Sequence, residues 1–285
     1  MSFLLRSDNW PVGWLLYSLA AAACLYALGG RRTVKTNRVR SAAFYGGIAT
    51  LALAVASPID AYSDRLFWVH MIQHVLLTMV APPLLLLGRP WPRMLKPFAP
   101  SVRRPVARAV LVGSTLGPLR AFGRWLSAPL PAFVLFTVVL LGWHVPALYD
   151  LTLRNAFVHD VEHMLFFGSA LLFWLHLVPG AAARSQLSYG QRTAYGTGGL
   201  LVSWGLAVVL ALASSPFYSA YSSLGSRPGG LSALADQQLA AGIMWVPASV
   251  PFTIAIFVSA YRWLDPSSGR RRGAVTVRDL RPRET

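Results

Sequence analysis

Acidic residues are scarce in this chain of 285 residues: Asp and Glu number 10 against 26 Lys and Arg, and charged residues make up only 13%. A soluble domain with a single core carries more charge than that, so this class is set aside. Cysteine is nearly missing. Cys24 stands alone, which excludes an intrachain disulfide and a CxxC copper or redox motif. Within its apolar run it reads as a small buried thiol. No Gly-rich phosphate loop, Ser nucleophile elbow or internal repeat is visible. What the chain has instead is apolar length, with 55% hydrophobic residues. The net charge of +16 would point to nucleic acid in a soluble protein. Here the basic residues fall in short segments between apolar runs, so no nucleic-acid partner is expected and membrane orientation explains them.

Seven runs reach the ~20 residues that a helix needs to cross a bilayer: 11–29, 40–56, 67–88, 128–149, 157–179, 193–214 and 238–264. The second is the shortest, and the first is too long and too basic at its end for a cleaved signal. The expected fold is all-α, a polytopic membrane protein of seven transmembrane helices. Alternate connections carry 22 of the Lys and Arg on one side and four on the other. That bias places the N-terminus outside and the C-terminus in the cytoplasm of a bacterial cell membrane. Residues 1–265 form the membrane domain. Its connection 89–127 mixes Arg with Val and Leu and reads as an amphipathic helix held by membrane lipid. The tail 266–285 is basic and reads as disordered.

Histidines provide the chemistry. His70 and His74 open the third run, FWVHMIQHVLLTMVAPPLLLLGRP; His144 ends the fourth; His159 and His163 open the fifth. Five of six thus share the outer layer although they come from three runs. Each HxxxH pair projects from one helix face, and imidazole suits copper, zinc, iron and nickel. Met71, Met164 and Met244 offer soft donors that favour Cu(I), and Gln237 and Met244 share a face that closes the site. Asp236 lies level with the imidazoles and is placed to orient one. Asp64, Asp150 and Asp160 read as loop, capping or orienting residues. His176, 13 residues beyond His163, lies about 20 Å deeper and is structural. Intramembrane ionisable groups are costly, so the cluster marks function.

His159 to His163 also fits H-x-x-E-H, in which Glu162 would activate a zinc-bound water. The alternative places Glu162 as a solvated residue at the membrane boundary. A b-type haem held between the third and fifth runs, or a metal-free scaffold, are further alternatives.

HMIQHVLLTMVAPPLLLLGRP, WHVPALYDLTLRN, VHDVEHMLFF with WLHLV, and DQQLAAGIMWVP, in this order, resemble the seven-span CtaG assembly factors of caa-type cytochrome c oxidase. The resemblance covers about residues 54–263. It implies a non-enzymatic assembly factor of the haem–copper oxidase that acts in copper delivery. Its implied partners are oxidase subunits and an extracytoplasmic copper chaperone. Its implied metal residues are His70, His74, His144, His159, His163, Asp236 and Met244, with copper as Cu(I) and zinc as the alternative metal.

Overall fold

The computed structural model describes residues 13–31, 37–178, 187–224 and 227–265. The start of the first run and the basic tail lie outside these described residues.

Among the described residues the chain is all-helical, with no strand. Five segments are long and apolar enough to cross a membrane: Arg38–Ser63, Phe67–Gly88, Ala156–Leu177, Tyr189–Ala211 and Ala233–Leu264. Each falls on an expected run. The first run forms α1 (Trp14–Arg31), whose apolar stretch is shorter. The fourth behaves differently. Its helix α9 (Pro129–Trp143) has only 15 residues and bends by 74° from the preceding α8 (Gly117–Leu126). It stops short of the expected residue 149 because Pro146 forces Val145 out of helical geometry, to φ −67° and ψ 125°. The chain then turns into the short helix α10 (Pro146–Arg154). Counting the bent pair as one span gives six.

Local sequence sets the helix starts. The side chain of Asn37 caps α2 (Arg38–Val55), Ser57 caps α3 (Pro58–Ser63), and Asn155 caps α11 (Ala156–Leu177) through the amides of Phe157 and Val158. Ser188 and Gln191 close a reciprocal capping box on α12 (Tyr189–Ala211). The third run is interrupted. Helix α4 (Phe67–Val75) passes through a π-helical turn, Leu76–Val80, before α5 (Ala81–Gly88). Pro82 and Pro83 bring no N–H to this turn, so the Thr78 carbonyl lacks its helical donor. The Trp174 indole of α11 donates to it at 2.8 Å instead.

The connection 89–127 holds three short helices, α6 (Pro90–Met94), α7 (Pro100–Leu111) and α8, and none buries a residue. Helix α8 exposes Leu119, Phe122 and Trp125 beside Arg120 and Arg124, an amphipathic surface of the expected kind.

Packing is tight where side chains vanish. A Cβ on Gly199 of α12 would come within 2.6 Å of Phe173, and one on Gly47 of α2 within 2.8 Å of Leu85. The close glycine contacts therefore lie within one bundle. Cys24 departs from expectation: it is exposed. Helix α1 packs at the rim, against α2 and α6, and protein covers only one side of it.

Two apolar clusters flank the middle of the bundle. One gathers Phe136, Phe166, Phe173, Trp174 and Phe252. The other gathers Phe67, Met71, Tyr149, Tyr218 and Tyr221, the last two from the connection that carries α13 (Ser219–Ser222). Helices α14 (Ala233–Trp245) and α15 (Ser249–Leu264) complete the bundle against α4 and α12.

Candidate metal centre

The histidines meet between those clusters. Helix α4 presents His70 and His74 on one face, and α11 presents His159, Glu162 and His163 on the face opposite, as i, i+3 and i+4 spacing dictates. One donor atom from each of His70, His159, Glu162 and His163 lies within 4.8 Å of the others. The rings of His159 and His163 are 4.1 Å apart, and those of His70 and His159 5.2 Å. Four tetrahedral ligands with ~2.1 Å bonds stand about 3.4 Å apart. A modest closure of the side chains on the two helices would therefore bring these donors onto one ion.

Glu162 is buried to 0% exposure, which corrects its reading as a solvated boundary residue. Its position on α11 turns it inward with His159 and His163. Its Oε2 lies 3.9 Å from His70 Nε2 and 3.8 Å from His74 Nε2. Neither carboxyl oxygen accepts a hydrogen bond, and the Nε2 atoms of His159 and His163 are likewise unpartnered. Thr152, the hydroxyl nearest to hand, donates its hydrogen to the Tyr149 carbonyl at 2.7 Å. Buried polar atoms are ordinarily paired, so unpartnered atoms on three of the four residues that meet here fit a cation better than they fit a core.

The hydrogen-bond chain assigns the neutral tautomers on α4. Burial holds the Tyr221 phenol above its ordinary value, so the hydroxyl keeps its proton. That proton goes to the Ser63 carbonyl, and the same oxygen accepts from His70 Nδ1 at 3.1 Å. His70 Nε2 therefore holds a lone pair, and His74 Nε2–H donates to it at 2.9 Å. Metal-ligating imidazoles commonly have their second nitrogen fixed in this way. Tyr221 is held in turn by α13, whose first amides, of Ser219 and Ala220, are accepted by Asp150 at 3.1 Å. Asp150 is thus a capping residue.

The remaining expected residues divide. His144 lies near His74, with ring centroids 6.5 Å apart, but outside the four-donor group. Met244 is buried near His74 and His144. Asp236 orients backbone, not imidazole: it accepts from the amides of Phe67 and Trp68 at 3.0 and 2.9 Å and lies 3.8 Å from Arg227. Gln237 accepts from the Phe217 amide at 2.7 Å and so ties down a loop. His176 donates from Nε2 to the Ser127 carbonyl at 3.0 Å, a structural tie. Asp60, Asp64 and Asp160 act on His159 through space and lend the region negative potential. Tyr221 went unread because a lone aromatic in a loop carries no periodic signal.

Fold and site together define a polytopic helical membrane protein with a buried histidine–carboxylate cluster between two helices. The chain belongs to the cytochrome c oxidase caa3 assembly factor family (Caa3_CtaG), whose model matches residues 24–265. It is 27% identical over 267 residues to uncharacterized proteins of Mycobacterium bovis and Mycobacterium tuberculosis, and 26% identical over 253 residues to one of Mycobacterium leprae. These alignments cover 85–90% of this chain, which spans only 35–36% of the length of those relatives. No solved structure matches it.

Proposed function

We propose that this protein is a non-enzymatic assembly factor that binds copper between α4 and α11 and supports its delivery to a cytochrome c oxidase. One observation carries the reading: His70, His159, Glu162 and His163 converge within 4.8 Å, and most of their buried donor atoms lack any other partner. Family membership supports the oxidase as the recipient. Three imidazoles and a carboxylate are a borderline donor set that suits Cu(II) and Zn(II) as well as Cu(I). Copper is written here as cargo. A transfer site must release its ion, and an open coordination position allows that.

The proposed topology has seven spans in a bacterial cell membrane, counting α1 and the bent α8–α9 pair, with the N-terminus outside. The four-donor site then faces the extracytoplasmic side, where a copper chaperone would load it and oxidase subunits would receive the ion. The Arg-rich α7 would rest on anionic lipid.

Metal analysis of the purified full-length protein after copper loading tests this, set beside a His159→Ala/His163→Ala variant. Wild type should retain copper that the variant loses. Equal, negligible copper in both would sink the proposal. A Soret band on purification would favour the haem alternative.

A second reading, a zinc hydrolase, is favoured by one observation, the burial of Glu162 among the histidines. It requires Glu162 as a base acting on metal-bound water. The family match supports the non-enzymatic role instead.

A further inference from the structure

We propose that a second metal site, selective for a soft monovalent cation of the Cu(I) type, lies beside the first in a small cavity bounded by His74, His144, Met71, Met79 and Met244. It rests on the copper reading above for the identity of the ion, but not for its geometry. The cavity has a volume of about 20 Å³, room for one atom-sized guest.

Two of its lining residues carry a bare ring nitrogen. His144 Nδ1 donates to the Leu140 carbonyl at 2.7 Å, so the neutral ring carries its proton there and its Nε2 is bare. That Nε2 is buried and unpartnered. The tautomer chain from Tyr221 puts the proton of His74 on Nε2, and His74 Nδ1 is likewise buried and unpartnered. Both residues are more than nine-tenths buried, at 5% and 6% exposure. Neither nitrogen can donate to the other, because both are acceptors.

The rest of the lining sets the selectivity. Met71, Met79 and Met244 bring thioethers, and no carboxylate lines this cavity. Thioether and neutral imidazole favour Cu(I). With no anion to offset it, a monocation costs less to bury there than a dication. The four-donor site has the opposite character, with the carboxyl of Glu162 among its donors. His74 stands between the two: its Nε2 faces His70, and the residue also lines the cavity.

Anaerobic Cu(I) titration of the full-length protein, read by copper stoichiometry and X-ray absorption, tests the proposal. Wild type should bind two equivalents and show a copper–sulfur scattering shell. A Met71→Leu/Met244→Leu variant keeps side-chain volume and should lose one equivalent together with most of that shell. A His159→Ala/His163→Ala variant should lose the other equivalent and keep the shell. If wild type shows no sulfur shell, or the leucine variant leaves it unchanged, the cavity holds a buried water only and the inner site is overturned. If the sulfur shell persists while the alanine variant loses no copper, the four-donor reading fails and the inner site stands.

Discussion

His70 and His74 share a hydrogen bond between their Nε2 atoms at 2.9 Å, and the lone pair His70 uses in it is the one it would offer a metal. An ion at the four-donor site must break that bond. His74 Nε2–H then has Glu162 Oε2 to turn to, 3.8 Å away. On the proposed reading, metal binding and the orientation of His74 would therefore be coupled.

Copper binding should weaken as pH falls, because protons compete for His70, His159 and His163. The sign is fixed: the protonated rings have no lone pair to give. Affinity measured by chelator competition should drop once pH is lowered through the range in which these buried rings take up protons. Affinity that is unchanged after the rings are protonated would exclude imidazole ligation.

Glu162→Gln keeps the side-chain volume and removes the charge. If Glu162 is a ligand, copper affinity should fall on the order of 10–100-fold, the scale of losses around metal sites. Oxidase assembly in cells should fall with it. Full copper binding with abolished function would instead support the hydrolase reading.

Asp236→Ala strips the cap from α4, leaving the amides of Phe67 and Trp68 without their acceptor. Loss of an N-terminal cap costs about 0.5–2 kcal/mol, and Arg227 loses its nearby carboxylate as well. Thermal unfolding in detergent should show a lowered midpoint. Asp236→Asn, which keeps an acceptor oxygen, should recover part of the loss.

Gly199→Ala should destabilise the bundle by about 1–3 kcal/mol, since its Cβ would press on Phe173 and Phe252. Gly205→Ala, on the same helix, meets nothing within 4 Å and should be neutral or better. The same unfolding assay compares the two.

Much of the site was legible in the sequence because helical spacing is a local property. His70 and His74 point one way from α4, and His159 and His163 one way from α11, as their four-residue separations require. Glu162 was visible in the H-x-x-E-H pattern, but spacing alone does not decide whether a residue one turn into a span faces water or a neighbouring helix. Asp236 shows the opposite limit. Its partners lie 168 and 169 residues away, and a side chain that caps a distant helix looks in sequence like any acidic residue near a metal site. The division of His74, His144 and Met244 into a separate cavity depends on ring rotamers and tautomers, which no spacing encodes. Hydropathy located the five helices long enough to cross a membrane, while Pro146 cut the fourth expected run short through a steric clash that a window average does not see.

The indole of Trp174 filling the place of an amide that Pro82 and Pro83 cannot supply has a consequence for timing. That bond joins the π-turn that follows α4 directly to α11, and α4 and α11 carry every donor of the four-donor site. Helices free to slide past each other would present their donors at a spread of separations, and an arriving ion would have to halt that motion. Here the freedom is already lost on folding. On the proposed reading, capture would then depend on the last ångström of side-chain closure, and release on reopening the same short distance.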